Sequence, residues 1–172
     1  MPSFVLRLAA LAGLSVLSTH AAAQSFAAQF PARVLAVHNA VRAQARVAPI
    51  VWDNALGSAA AAYAQQMAMT GRFQHSNRSQ RRGTGENLWM GTRGAFSVDA
   101  MIGAWAGEGR MFRPGIFPTV SRTGSWGDVG HYTQMVWRGT ARVGCAIRSS
   151  ARDDYLVCRY VPAGNVMGVA VP

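Results

Sequence analysis

Cys145 and Cys158 are the only two cysteines in the chain, and their spacing constrains how its last third can fold. Residues 142–148 and 155–161 each read as a strand, separated by a short polar stretch that reads as a turn. A turn centred between Ala151 and Arg152 sets Ser149 opposite Asp154 and Cys145 opposite Cys158. Directly opposed residues on antiparallel strands can lie close enough for a disulfide. Closing a loop this short would contribute about 3 kcal/mol in the chain-entropy account. The alternative is two unpaired buried thiols. Neither cysteine reads as a nucleophile, because both fall in mid-strand with no motif that places a base beside them.

The first 23 residues read as a signal peptide rather than as part of the fold. Arg7 supplies a thin positive start, Leu8 to Leu17 an apolar run, and Ala21-Ala22-Ala23 the small residues of a cleavage site before Gln24. The run is well short of the roughly 20 residues that span a bilayer. Residues 24–172 are then expected to form one secreted domain, with an exported pair of cysteines free to oxidise.

All 17 basic residues are arginines, against seven acids, for a formal charge of +10. Such a balance favours anionic partners: phospholipid head groups, acidic polysaccharide or nucleic acid. A specific nucleic-acid role is not expected, since the arginines are spread along the chain and no helix-turn-helix, zinc-finger or RNA-binding signature accompanies them. The nearest cluster, Arg78, Arg81 and Arg82, reads as a solvated loop.

Along the chain, the spacing predicts a helix over 31–46, with Val34, Val37, Val41 and Ala45 on its apolar stripe and Arg42 and Arg46 together on another side. Asp53 reads as the N-cap of a second helix, with Leu56, Ala60, Tyr63 and Met67 at core spacing and Gly71 as its stop. A loop over 72–85 precedes a strand from Asn87 to Met90. Ser97 caps a third helix, with Asp99 in its first turn. Residues 110–129 read as a long loop, followed by strands over 131–137, 142–148 and 155–161. This order predicts an α+β fold, with helices packed on a mainly antiparallel sheet.

Glu108 is the residue that chemistry singles out. It follows Trp105 by three and Met101 by seven, so it falls on an apolar helical face, where a carboxylate is costly unless paired or ligated. The other glutamate, Glu86, stands at the entry of a strand. His131 opens a later strand, and His75 lies in the loop before Glu86. No short spacing joins these four.

Four runs do so by resemblance: Gly85-Glu86-Asn87-Leu88, the Trp105…Glu108 pair, Gly130-His131-Tyr132-Thr133-Gln134-Met135-Val136-Trp137, and Cys158-Arg159-Tyr160-Val161-Pro162-Ala163-Gly164-Asn165. In that order and spacing they resemble the CAP superfamily of cysteine-rich secretory proteins, insect venom antigens and plant pathogenesis-related proteins. The resemblance covers roughly residues 34–168. It implies an α-β-α sandwich and a cleft lined by His75, Glu86, Glu108 and His131.

Two imidazoles and two carboxylates suit a divalent metal such as zinc, with the histidines as direct ligands and the carboxylates held directly or through water. The alternative is a hydrogen-bonded polar cluster without chemistry. His38, beside the apolar stripe of the first helix, reads as a satisfied core histidine, while Asn87 and Gln134 read as partners for buried backbone groups. Trp89 and Trp126 are candidates for the rim of a groove. In place of the cysteine that many eukaryotic members carry before this Gly-His-Tyr-Thr-Gln run, the chain has Val129. With few cysteines and an arginine-rich composition, an exported bacterial member is expected.

Some members of the superfamily bind sterols or fatty acids. The resemblance therefore implies a binding protein for a lipid or anionic cell-envelope component, with peripheral membrane contact compatible with its charge. Phe112, Phe117 and Trp126 are candidates for the groove wall, although the phenylalanines fit equally a lid over the core. A metal-dependent hydrolase using Glu86 or Glu108 as general base is the runner-up, and a structural or host-interaction role the third reading. The chain has neither a His-Glu-x-x-His pair on one helix nor a Gly-x-Ser-x-Gly elbow.

Overall fold

The structure is a computed structural model, and it describes residues 28–81 and 83–172. The expected signal peptide, residues 1–23, lies outside the described residues, as does Arg82.

Residues 28–44 form helix α1. Its buried face carries Val34, His38, Val41 and Arg42, so the expected stripe is right for the valines and wrong for the arginine. Arg42 is fully buried, whereas Arg46 is exposed. Its guanidinium donates to the carbonyls of Ala48, Met135, Trp137 and Thr140 at 2.6–3.0 Å. A buried charge is tolerable when each of its three nitrogens meets a carbonyl dipole.

Strand β1 (Val51–Trp52) leads into helix α2 (Asn54–Thr70). Asp53 caps α2 as expected, accepting from the Ala55 and Leu56 N–H groups, and Gly71 ends it at φ 67°. Strand β2 (Gly85–Thr92) is longer than the predicted segment at both ends. Ser97 caps helix α3 (Val98–Gly107), after which Glu108–Arg110 continues as a 3-10 turn. Two elements inside the expected 110–129 loop were not anticipated: strand β3 (Gly115–Ile116) and a 3-10 turn over Trp126–Val129. Helix α4 (Gly130–Met135), strands β4 (Arg142–Ser149) and β5 (Asp153–Val161), and the short β6 (Ala170–Val171) complete the chain.

The order of the four-stranded sheet is β1-β4-β5-β2, antiparallel except where β1 runs parallel to β4; β3 and β6 pair separately. The β4–β5 register sets Ser149 opposite Asp154 and Cys145 opposite Cys158. The cysteines are joined in a disulfide, with their Cα atoms 4.1 Å apart.

Strand alternation then builds three layers. Tyr155 and Val157 of β5 meet Ala60, Tyr63 and Met67 of α2 on one face of the sheet. Leu156, Cys158 and Tyr160 join Val34 of α1, Met101 and Trp105 of α3, and Met135 of α4 on the other. Gly144 is required for the first layer, since a side chain there would run into the backbone of Gly57 and Asp53. The result is the expected α-β-α sandwich.

The predicted strand over 131–137 is instead α4. The run 131–137 contains Tyr, Thr, Val and Trp, residues that favour strands, and a helix of six residues is marginal by itself. Two distant charges close its ends. The Glu108 carboxylate accepts the His131 and Tyr132 backbone N–H groups at 2.9 and 3.1 Å, and Arg42 takes the carbonyls of Met135 and Trp137. A negative group at the N-terminus and a positive one at the C-terminus both favour the helix dipole.

Candidate functional site

The four predicted site residues form two pairs, one on each side of the sheet. Glu86 faces α2, directly opposite Arg159 in the β2–β5 register. Its side chain has no solvent exposure. It forms an ion pair with the Arg159 guanidinium at 3.0 Å and accepts from the Ser76 backbone N–H and hydroxyl at 3.0 and 2.8 Å and from His75 Nδ1 at 2.7 Å. Burial pulls the Glu86 carboxyl up, yet the His75 hydrogen bond, the Arg159 charge and the Ser76 donors together hold it below its usual value. These bonds draw the loop at 75–76 over the strand and leave the His75 ring half-exposed.

Glu108 and His131 belong to the opposite layer. His131 Nδ1 donates to Glu108 at 2.6 Å, and its ring stacks on Trp105 with centroids 5.8 Å apart. Trp105 is itself anchored by its indole N–H, which donates to the Leu88 carbonyl at 3.1 Å. The two carboxylates therefore do the same work by different means. Glu86 is balanced by a buried arginine, and Glu108 by the N-terminus of α4.

Both imidazoles open on one cleft of about 600 Å³. His75, Glu86, Asn87 and His131 line it, whereas Glu108 stands behind His131 and does not. Among the described residues no three His, Cys, Asp or Glu side chains are grouped to hold a metal ion, so the four residues are two hydrogen-bonded pairs rather than one ligand cluster. Each histidine has Nδ1 tied to a carboxylate and Nε2 without a partner among the described residues.

The predicted groove residues divide. Trp126 lies at the cleft rim, 44 % exposed, and Phe117 lies beneath it at 5.3 Å between ring centroids. Phe112 is buried against Tyr132 and lines no part of the cleft. Trp89 packs on Phe96 instead of reaching the rim. Asn87 donates to the His131 carbonyl, and Gln134 bridges the Gly164 N–H and the Thr140 hydroxyl, as expected.

His38 is fully buried, with Nδ1 facing the Val34 carbonyl at 2.8 Å and Nε2 facing the Tyr160 hydroxyl at 2.9 Å. The carbonyl requires the proton on Nδ1, so Tyr160 donates to Nε2 and accepts from Asn87. Desolvation, against a smaller pull from the Val34 carbonyl, lowers the His38 pKa to about 4.

Sequence reasoning gave Arg159 no part in this site, and weighed Ser76 beside His75 only as an improbable nucleophile, whereas it is a donor to Glu86. Arg159 stands in the quoted Cys158-Arg159-Tyr160 run, but only the pairing of β2 with β5 sets it against Glu86. Its Nε is buried without a partner, and its guanidinium lies over the Tyr63 ring.

Residues 35–160 match CAP, the cysteine-rich secretory protein family. The chain belongs to this family. A CAP relative, pathogenesis-related protein 1B of Nicotiana tabacum, is 36% identical over 136 residues, covering 78% of this chain and 76% of its own. Secreted protein RBT4 of Candida albicans is 35% identical over 144 residues, 81% of this chain but only 37% of its own. Among solved structures, NaASP2 with Zn2+ superposes with a TM-score of 0.64 at 27% identity, covering 82% of this chain and 83% of that one. These CAP relatives do not bear out the bacterial source expected from composition.

Proposed function

We propose that this CAP chain is a secreted binding protein whose cleft takes a divalent cation, zinc foremost, on His75 and His131 together with an anionic, partly apolar ligand. The observation that carries this reading is the pairing of each imidazole: Nδ1 is given to a carboxylate, and Nε2 is left unbonded beside one shared cleft. A carboxylate behind a histidine fixes its tautomer and raises its basicity toward a metal. Imidazole nitrogen suits zinc among the available cations. Glu86 and Glu108 would orient the ligands rather than be ligands themselves, because each already accepts three hydrogen bonds and Glu86 is also ion-paired with Arg159. A zinc ion held there would supply fixed positive charge for an anionic oxygen. The relative solved with Zn2+ supports the choice of cation, and the relative named as a secreted protein supports export.

The rest of the cleft suggests the ligand. Arg78 and Arg81 line it on one side, and Phe117, Trp126, Val166 and Met167 on the other. A lipid or envelope component with an acidic head and an apolar part matches both. Binding is favoured over turnover because neither carboxylate is poised as a general base: Glu86 is neutralised by Arg159, and Glu108 is committed to α4 and His131.

Elemental mass spectrometry on the exported protein tests the cation, beside a His75→Ala/His131→Ala variant. About one zinc per chain, lost in the folded variant, is the expected result. No metal in either protein after zinc is offered would remove the reading.

A further inference from the structure

Five large apolar side chains left in solvent gather around one buried ring. Ile116, Trp126, Val166, Met167 and Val169 are 43–64 % exposed, while Phe117 is 1 % exposed. The Phe117 N–H donates to the Val169 carbonyl, and the Gly168 N–H donates to the Phe117 carbonyl, both at 2.9 Å. Ile116 pairs with Ala170 across β3 and β6, and the Trp126 ring packs on Phe117. Three separate stretches of chain thus meet at this ring, with Trp126, Val166 and Met167 together in the cleft lining and Ile116 and Val169 on the flanking backbone pairing. Single exposed apolar residues are ordinary, whereas a gathered set marks a surface that meets something apolar.

The chain around these residues is basic. Arg78 and Arg81 share the cleft with Trp126, Val166 and Met167, and Arg113 is exposed two residues before β3. The side chains of Arg78 and Arg113 have no partner among the described residues. Among the nearby acids, Glu86 is ion-paired with Arg159 and Glu108 is turned to His131 and α4, while exposed Asp128 accepts from the Thr123 hydroxyl and keeps its charge.

We propose that this face docks on the surface of an anionic lipid bilayer, with its apolar tips in the interfacial layer and the histidine cleft opening onto the head groups. Short apolar tips flanked by arginines complement a sheet of anionic head groups above hydrocarbon. A tryptophan at the rim suits the boundary between the two. Docking needs no metal and stands apart from the cation reading.

Flotation with vesicles of phosphatidylcholine alone, and of phosphatidylcholine mixed with phosphatidylglycerol, tests the face on the mature chain. Binding is expected on the mixed vesicles and not on phosphatidylcholine alone. It is expected to weaken about tenfold or more in Ile116→Ser/Met167→Ser and in Arg78→Ala/Arg113→Ala, with melting unchanged. Vesicle binding is expected to be the same with zinc added and with a chelator present, which separates this proposal from the fate of the cation site. If the Ile116 change unsettles the β3–β6 pairing, Val166→Ser/Met167→Ser, outside both strands, carries the same expectation. Absence of binding to the mixed vesicles overturns the proposal, as does binding that survives the apolar substitutions. Equal binding to both vesicle types, or binding indifferent to the arginines, overturns the anionic surface.

Discussion

Glu108 meets His131 twice: the imidazole Nδ1–H donates to Oε1 at 2.6 Å and the backbone N–H to Oε2 at 2.9 Å. One carboxylate therefore sets the ring orientation at the cleft and closes the N-terminus of α4. Across the sheet Glu86 fixes His75 in the same way, with its second oxygen shared by Ser76 and Arg159. Cleft geometry and fold stability are coupled through both carboxylates.

Glu108→Ala removes the helix cap and frees the ring together. Stability is expected to fall by about 1–2 kcal/mol, the usual cost of losing an N-cap acceptor. Zinc affinity is expected to fall about tenfold or more, as when a carboxylate behind a metal-binding histidine is lost. Urea denaturation and titration calorimetry measure the two effects. A stability loss with unchanged zinc affinity would separate the cap from the site.

Glu86→Gln is expected to be the costlier change, although it preserves shape. It leaves the buried Arg159 guanidinium without its counter-charge, a loss of about 3–5 kcal/mol for a broken buried pair. Replacing both partners, Glu86→Gln with Arg159→Met, removes the stranded charge. The double variant is expected to be more stable than the single one, and a double-mutant cycle in urea checks this. Additive losses would show that Arg159 is not what Glu86 neutralises.

What was legible in the sequence was local. Asp53, Gly71 and Ser97 announce helix ends within a turn of where they act, and the symmetry of Cys145 and Cys158 about one short turn gives the β4–β5 register. His38 reads correctly as a core residue because its apolar neighbours share its helix face. Helix α4 is illegible because Glu108 and Arg42, which hold its two ends, are remote in sequence. The burial of Arg42, read only as lying off the apolar stripe, is illegible for the same reason: its partners are backbone carbonyls, which leave no mark on composition. The site residues are recognisable as types, but their division into two pairs depends on which side of β2 each one faces.

The disulfide ties two strands that are already paired, so its contribution should be visible as stability rather than as fold. Cys145→Ala/Cys158→Ala is expected to keep the far-ultraviolet spectrum and lose about 3 kcal/mol, in line with the short loop closed. Thermal denaturation with and without reductant provides the comparison. A reduced parent chain as stable as the oxidised one would remove the disulfide from the stabilising interactions.

His38 gives the fold a pH dependence of definite sign. Burial between Val34 and Tyr160 lowers its pKa from 6.5 to about 4 in the folded chain. Between these values the unfolded chain binds a proton that the folded chain refuses, so stability falls as pH falls through this window. The loss from neutral pH to about pH 5 is expected to be on the order of 2 kcal/mol, rising toward about 3 kcal/mol near the folded pKa. Glu86, whose carboxyl is also held below its usual value, adds a loss of the same sign only at lower pH. Urea denaturation of the parent and of His38→Gln across this range separates the two groups. The variant is expected to be less stable at neutral pH but flat down to the carboxylate range. If both chains have the same slope near pH 5, the dependence lies in some group other than His38.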